Sequence, residues 1–176
     1  MELSFSVNGR DTCVECAPGA TLFQVLRKLG LTSVKKGCDD EGTCGTCSVL
    51  LDGELVLSCI TPAPRAAGRA VITVEALGDP ANPHPLQRAF VDTGAVQCGY
   101  CTPGMVLAAK ALLDRKPAPA EADIRDALSS NLCRCTGYVK IVEAVSLAAD
   151  RMREGRERAK PKGKTVVRKV RSKERV

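Results

Sequence analysis

Residues 35–59 read KKGCDDEGTCGTCSVLLDGELVLSC, with cysteines at 38, 44, 47 and 59 in a C-x5-C-x2-C-x11-C spacing. Three of the thiols share a loop with Gly37, Gly42 and Gly45. A loop that wraps an anionic inorganic group must aim backbone N–H groups inward, and glycine permits the close approach and left-handed dihedrals this requires. The fourth thiol has to return to the same place. Asp52-Gly53 is a hairpin signal between SVLL and ELVLS, and Cys47 and Cys59 each lie six residues from Gly53. Pairing across that turn is expected to bring them together, so one loop and one hairpin deliver four thiolates to one site.

Plant-type [2Fe–2S] ferredoxins use a related loop, three clustered cysteines and a distant fourth. The alternative for any four cysteines is a tetrahedral zinc site, which usually takes two short C-x2-C knuckles. Only one C-x2-C occurs in this segment, which favours iron–sulfur. A second set lies further on, Cys98 and Cys101 in QCGYC and Cys133 and Cys135 in CRC. Each of these pairs precedes a predicted helix, whose positive N-terminal end suits an anionic group.

Around the quoted stretch, residues 1–76 read as a small mixed unit. LSFSV alternates as a half-buried strand, Asn8-Gly9 is a turn, and TCVEC returns. GATLFQVLRKLGL reads as a helix, with Thr21 and Gln24 at capping-box spacing, an apolar face of Leu22, Val25, Leu26 and Leu29, and Gly30 as the stop. AVITV at 70–74 is the last strand, giving an open half-barrel crossed by one helix. LGDPANP at 77–83 is a linker. Residues 84–152 then read as helices only, in four segments: HPLQRAFVDTGA, TPGMVLAAKALLDRK with Thr102 as cap, AEADIRDALSSNL, and GYVKIVEAVSLAADRM with apolar Val139, Ile141, Val142 and Val145. The fold class is therefore α+β.

The net charge of +6 is unevenly distributed. Residues 151–176 hold twelve Lys or Arg and three Glu, whereas residues 1–150 hold fourteen Lys or Arg against seventeen Asp or Glu. The body is mildly acidic and 153–176 is a basic tail, a solvated end or an arm for an acidic partner. MELSFSVNGRD lacks the basic start and apolar run of an export signal, and no stretch has the length of a membrane span. A cytoplasmic setting is expected, where clustered cysteines serve metal or redox chemistry more than disulfides. Cys13 and Cys16 sit three apart on a predicted strand and are read as small buried hydrophobes. His84, the single histidine, is read as a surface or packing residue.

GCDDEGTCGTCSVLLDGELVLSC, QCGYCTPGM and NLCRCTGY, in that order, resemble the iron–sulfur subunit of the molybdenum hydroxylases, the xanthine dehydrogenase and aldehyde oxidoreductase family. The resemblance spans about residues 1–150 and leaves the tail outside. It implies a β-grasp ferredoxin-like domain over 1–76 holding one [2Fe–2S] cluster on Cys38, Cys44, Cys47 and Cys59. It also implies a four-helix domain over 84–152 holding a second on Cys98, Cys101, Cys133 and Cys135. By the same resemblance, Gln97 and Cys135 meet the molybdopterin cofactor of a large subunit, and the β-grasp cluster faces FAD in a medium subunit. The chain would relay electrons between them, with no catalytic residue of its own. Thr43 and Thr46 stand where Glu and Ala are commoner in the family, which touches potential tuning and not cluster binding. Relatives act on purines, aldehydes and N-heterocycles, a choice made in the large subunit. Two other readings are a free-standing ferredoxin-like carrier and a zinc-binding nucleic-acid module. Gln97 and the helical domain weigh against the first. The acidic body and the few aromatics weigh against the second, so no nucleic-acid partner is expected.

Overall fold

In the computed structural model, residues 1–159 are described. Five strands form one mixed sheet: β1 (Glu2–Val7), β2 (Arg10–Glu15), β3 (Ser48–Leu51), β4 (Glu54–Leu57) and β5 (Ala70–Ile72), in the order β2-β1-β5-β3-β4. The β1–β2 hairpin turns on Asn8 (φ 52°) and Gly9 (φ 77°), both in the left-handed region that a tight hairpin needs. That turn sets Leu3 opposite Val14, so the alternation of β1 puts Leu3, Phe5 and Val7 on the buried face. β5 joins β1 in parallel and β3 antiparallel. It ends at Ile72, two residues short of the predicted strand, because Val74–Ala76 winds into a 3-10 turn.

Helix α1 (Leu22–Lys28) crosses the sheet as the sequence predicts. Thr21 Oγ1 accepts from Gln24 N at 3.4 Å and Gln24 Oε1 from Thr21 N at 3.0 Å, closing the capping box. Leu22, Val25 and Leu26 are buried with Leu3, Phe5, Val49, Leu51 and Val71. Each such side chain contributes about 1.5–3 kcal/mol on burial.

Four helices follow: α2 (Pro85–Asp92), α3 (Thr102–Arg115), α4 (Glu121–Leu128) and α5 (Val139–Ala159). Leu86, Phe90, Met105, Ala109, Ile124 and Val145 are part of their shared core. Three expectations change. Cys101, not Thr102, precedes the first helical residue of α3. Val139 opens α5 and is exposed, because the buried stripe starts at Ile141. α5 continues to Ala159, so the segment expected as a tail from 153 begins inside a helix; the rest of it lies outside the described residues. No described helix is long and apolar enough to cross a membrane.

The sheet and the helices share an apolar seam. Leu50 of β3 packs with Leu107 and Ala111 of α3. All four residues of β3 are therefore buried, with Val49 and Leu51 in the α1 core and Leu50 in the α3 seam. The unbroken run SVLL carried that signal, since a strand covered on both faces loses its alternation. Leu77, within the predicted linker, packs against the same seam. The cysteine loops emerge at the edge of this joint.

Candidate metal centres

The first four thiols come from the loop and hairpin that the sequence marks, with one change of register in the hairpin. Asp52 (φ 50°) and Gly53 (φ 85°) make a two-residue turn that pairs Leu51 with Glu54 and Ser48 with Leu57. The turn is centred between Asp52 and Gly53 and not on Gly53, so Cys47 lies opposite Ser58. Its carbonyl accepts from Ser58 N at 3.3 Å and Ser58 Oγ at 2.7 Å. Cys59 comes next in the chain, and its thiol neighbours that of Cys47 closely enough to be raised by it. Cys38 and Cys44 are the other neighbouring pair, close enough that Cys44 helps lower the Cys38 thiol. Cys44, Cys47 and Cys59 are buried and Cys38 is half-buried.

The loop aims donors at sulfur as expected. Burial alone would raise the Cys38 thiol, but the N–H groups of Thr43 and Cys44 outweigh it and bring it down to about 6. Burial and the neighbouring Cys47 push Cys59 up to about 12, against one N–H from Gly42. The two threonines that depart from the family pattern take part here. The Thr43 side chain also bonds Cys38. The Thr46 hydroxyl lies 3.2 Å from Cys44 Sγ and 3.3 Å from the Lys35 carbonyl, and its one proton can serve only one of them. The resemblance marks both positions as bearing on potential tuning, and the structure adds their contacts with sulfur.

The second set gathers from two loops. Cys98 and Cys135 are exposed, with their sulfurs 3.6 Å apart. Cys101 and Cys133 are half-buried and close enough that Cys133 helps raise the Cys101 thiol. Gly99 (φ 76°) lets the Cys98–Cys101 loop turn, and Tyr100 N–H donates to Cys98. Burial would raise Cys133, yet the Thr136 hydroxyl at 3.1 Å, the Thr136 N–H and the Cys135 N–H hold it low. Burial and the Cys133 neighbour push Cys101 up to about 12. The Cys98 contact lifts Cys135, while the Tyr100 N–H, with help from Cys135, lowers Cys98. Tyr138 (φ 68°) braces this loop: its hydroxyl accepts from Cys133 N at 2.9 Å and donates to Asn131 O at 3.1 Å.

The two sets are close. A cleft of about 440 Å³ between them is lined by Gly37, Cys44 and Thr46 from one side and by Tyr100, Leu132 and Cys133 from the other. Leu132 N donates to Cys44 O at 3.0 Å, and Asn131 Nδ2 donates to Gly45 O at 2.9 Å. Gln97 is exposed next to Cys98. Cys13 and Cys16 belong to neither set. Cys13 is exposed and donates to Glu2 Oε1 at 2.8 Å, contrary to its reading as a buried hydrophobe, because Val14 takes the core-facing position of β2. His84 is more than a packing residue. It is the N-cap of α2, its Nδ1 accepting from Leu86 N at 3.2 Å.

Among the described residues, no group of three or more His, Cys, Asp or Glu donors converges as a site for a metal ion. The thiols instead gather in twos: Cys38 with Cys44, Cys47 with Cys59, Cys98 with Cys135, Cys101 with Cys133. In the last two pairs one sulfur is pulled toward thiolate while the other holds its proton. Four ionised thiolates can share a nest only with positive charge between them, and binding it would release those protons. Two thiolates for each of two bridged metals is the demand of a [2Fe–2S] group, and the donor sets fit it.

Comparison with known proteins agrees in both halves of the chain. Residues 5–70 match the 2Fe-2S iron-sulfur cluster binding domain family and residues 73–146 the [2Fe-2S] binding domain family. The nicotinate dehydrogenase small FeS subunit of Eubacterium barkeri is 47% identical over 150 residues, covering 85% of this chain and 95% of that one. The crystal structure of the aldehyde oxidoreductase from Desulfovibrio desulfuricans superposes with a TM-score of 0.84 at 46% identity, over 87% of this chain and 17% of that one. That of quinoline 2-oxidoreductase from Pseudomonas putida 86 gives 0.83 at 39% identity, over 88% and 97%.

Proposed function

The chain belongs to the family of two-domain [2Fe–2S] iron–sulfur subunits of the molybdenum hydroxylases, and on that premise we propose which residues carry its electron-transfer function and which partners it serves. Cys38, Cys44, Cys47 and Cys59 hold the first cluster, and Cys98, Cys101, Cys133 and Cys135 the second. The pairwise approach of the thiols carries this assignment, because it supplies two sulfurs to each of two irons in both places. A bound cluster accepts and returns one electron at a time.

The protein's own part is positioning and charge balance. N–H groups of Gly42, Thr43, Cys44, Tyr100, Cys135 and Thr136 point at the sulfurs and stabilise their negative charge. The Leu132–Cys44 hydrogen bond joins the residue before one ligand to a ligand of the other set, so few covalent bonds separate the two nests. The exposed pair Cys98 and Cys135, with exposed Gln97, Val96 and Leu132, supports a large-subunit surface on that side. There Gln97 and Cys135 would meet the molybdopterin cofactor. The first set would face FAD in a medium subunit or another acceptor. The domain division, 1–76 and 84–152 about a 77–83 connection, follows the two cores.

Anaerobically isolated chain should contain iron and acid-labile sulfide for two clusters. Reduction should raise two [2Fe–2S] electron paramagnetic resonance signals, and Cys98→Ser should alter only one of them. Absence of labile sulfide would overturn the assignment. Co-purification with a large chain carrying molybdenum tests the partner; isolation as a lone carrier would overturn that part.

A further inference from the structure

Lys35 precedes the first thiol loop, but its side chain reaches the second. Its backbone is fixed beside the first set: Lys35 N donates to Thr46 O at 3.1 Å, and the Lys35 carbonyl lies 3.3 Å from the Thr46 hydroxyl that also touches Cys44. Its Nζ lies 3.3 Å from Gly99 O and 3.5 Å from Tyr100 O, inside the Cys98–Cys101 loop. The ammonium also stands 5.1 Å from the centroid of the Tyr100 ring. Tyr100 answers across the same joint, its hydroxyl donating to Lys36 O at 2.5 Å.

One peptide unit links this contact to sulfur. Gly99 C=O and Tyr100 N–H belong to the same planar trans group, so their bonds point in opposite directions. The oxygen faces Lys35 Nζ and the hydrogen faces Cys98 Sγ. A cation on the oxygen polarises the N–H and strengthens its bond to an anionic acceptor. Gly99 (φ 76°) is the left-handed residue at which the loop turns this peptide's oxygen toward Lys35.

We propose that Lys35 is a positioning residue for the helical thiol set, orienting the Gly99–Tyr100 peptide toward Cys98 and thereby raising the reduction potential of the group held there. This rests on the functional reading above. A reduced cluster carries one more negative charge, so a nearby ammonium and a better-aimed N–H stabilise the reduced form over the oxidised one.

The test is a redox titration of the full chain in its native assembly, followed by electron paramagnetic resonance, with the helical signal identified through Cys98→Ser. Lys35→Met should lower the reduced-to-oxidised ratio of the helical cluster about tenfold at a fixed poise, a shift of about 59 mV for one electron. The other cluster should move much less, and Lys35→Arg should restore most of the shift. Loss of iron from the helical set alone in Lys35→Met, with retention in Lys35→Arg, would also support the role. Unmoved potentials, equal shifts of both clusters, failure of arginine to restore the shift, or loss of iron from both sets in Lys35→Met and Lys35→Gln alike would overturn it. Wild-type material without two signals would overturn the functional reading itself. Two wild-type signals with unmoved variants would overturn this inference alone.

Discussion

The backbone N–H of Leu132 donates to the carbonyl oxygen of Cys44 at 3.0 Å, which ties the residue before Cys133 to a cysteine of the other set. The tie is reinforced one residue away on each side, where Asn131 Nδ2 donates to Gly45 O at 2.9 Å. Two consecutive residues of one loop thus grip two consecutive residues of the other, which holds the nests at a fixed separation.

Asn131 is buried and acts here as a donor. Asn131→Ala should cost about 1–2 kcal/mol, because Gly45 O still accepts from Ser48 N and Ser48 Oγ. Asn131→Asp keeps the shape but sets a carboxyl oxygen against that carbonyl, and should cost about 3 kcal/mol or more. Urea denaturation of the two variants should rank them in that order.

Gly45 (φ 70°) and Gly53 (φ 85°) share a left-handed backbone but not a setting. A Cβ on Gly45 would lie 2.4 Å from the Ser130 carbonyl oxygen, whereas one on Gly53 meets nothing within 4 Å. Gly53→Ala should cost about 1–2 kcal/mol from the backbone alone. Gly45→Ala should cost clearly more and loosen the joint, seen as faster proteolysis between the two halves.

Cluster removal exposes the thiol chemistry. In metal-free protein Cys38, brought to about 6, is largely thiolate at neutral pH, while Cys59 and Cys101, at about 12, stay protonated. Alkylation of Cys38 by iodoacetamide should climb as pH rises from about 5 to about 7 and then level off. Mass mapping should find Cys59 and Cys101 unmodified in that range.

The loaded protein should behave in the opposite way. Ligand sulfurs are tied up, and Cys13 is the exposed thiol outside both sets. Brief alkylation should mark Cys13 first and leave the iron content unchanged, and Cys13→Ser should abolish that mark without altering either spectrum. Early labelling of Cys98 or Cys135, both exposed, would count against their place in the second set.

His84 links pH to stability. Burial first, and then the charge of Lys110, lowers its folded-state pKa, so the fold favours the neutral imidazole whose Nδ1 caps α2. As pH falls below the ordinary imidazole value of about 6.5, the unfolded chain takes up the proton more readily. Stability should therefore fall from there down to the folded-state value and then stay flat. His84→Asn keeps a capping side chain and should remove this component, measured as the difference in denaturation midpoint between about pH 7.5 and about pH 5.5.

The sequence by itself determined the parts that local chemistry controls. Strand alternation, the Asn8-Gly9 and Asp52-Gly53 turns, the Thr21–Gln24 cap and the two cysteine-rich loops were legible because each rests on residues near one another in the chain. The order of the three cysteine motifs also carried the resemblance to the family that the comparisons bear out. What only the tertiary structure decided depends on contacts between residues far apart in sequence. These include the Leu132–Cys44 and Asn131–Gly45 hydrogen bonds between the two loops, and the approach of Cys98 to Cys135 and of Cys101 to Cys133. The reach of Lys35 to the carbonyls at 99 and 100 belongs there too. No local pattern encodes such a contact, because it forms only when α3 seats on the outer face of β3 and brings two loops to one joint.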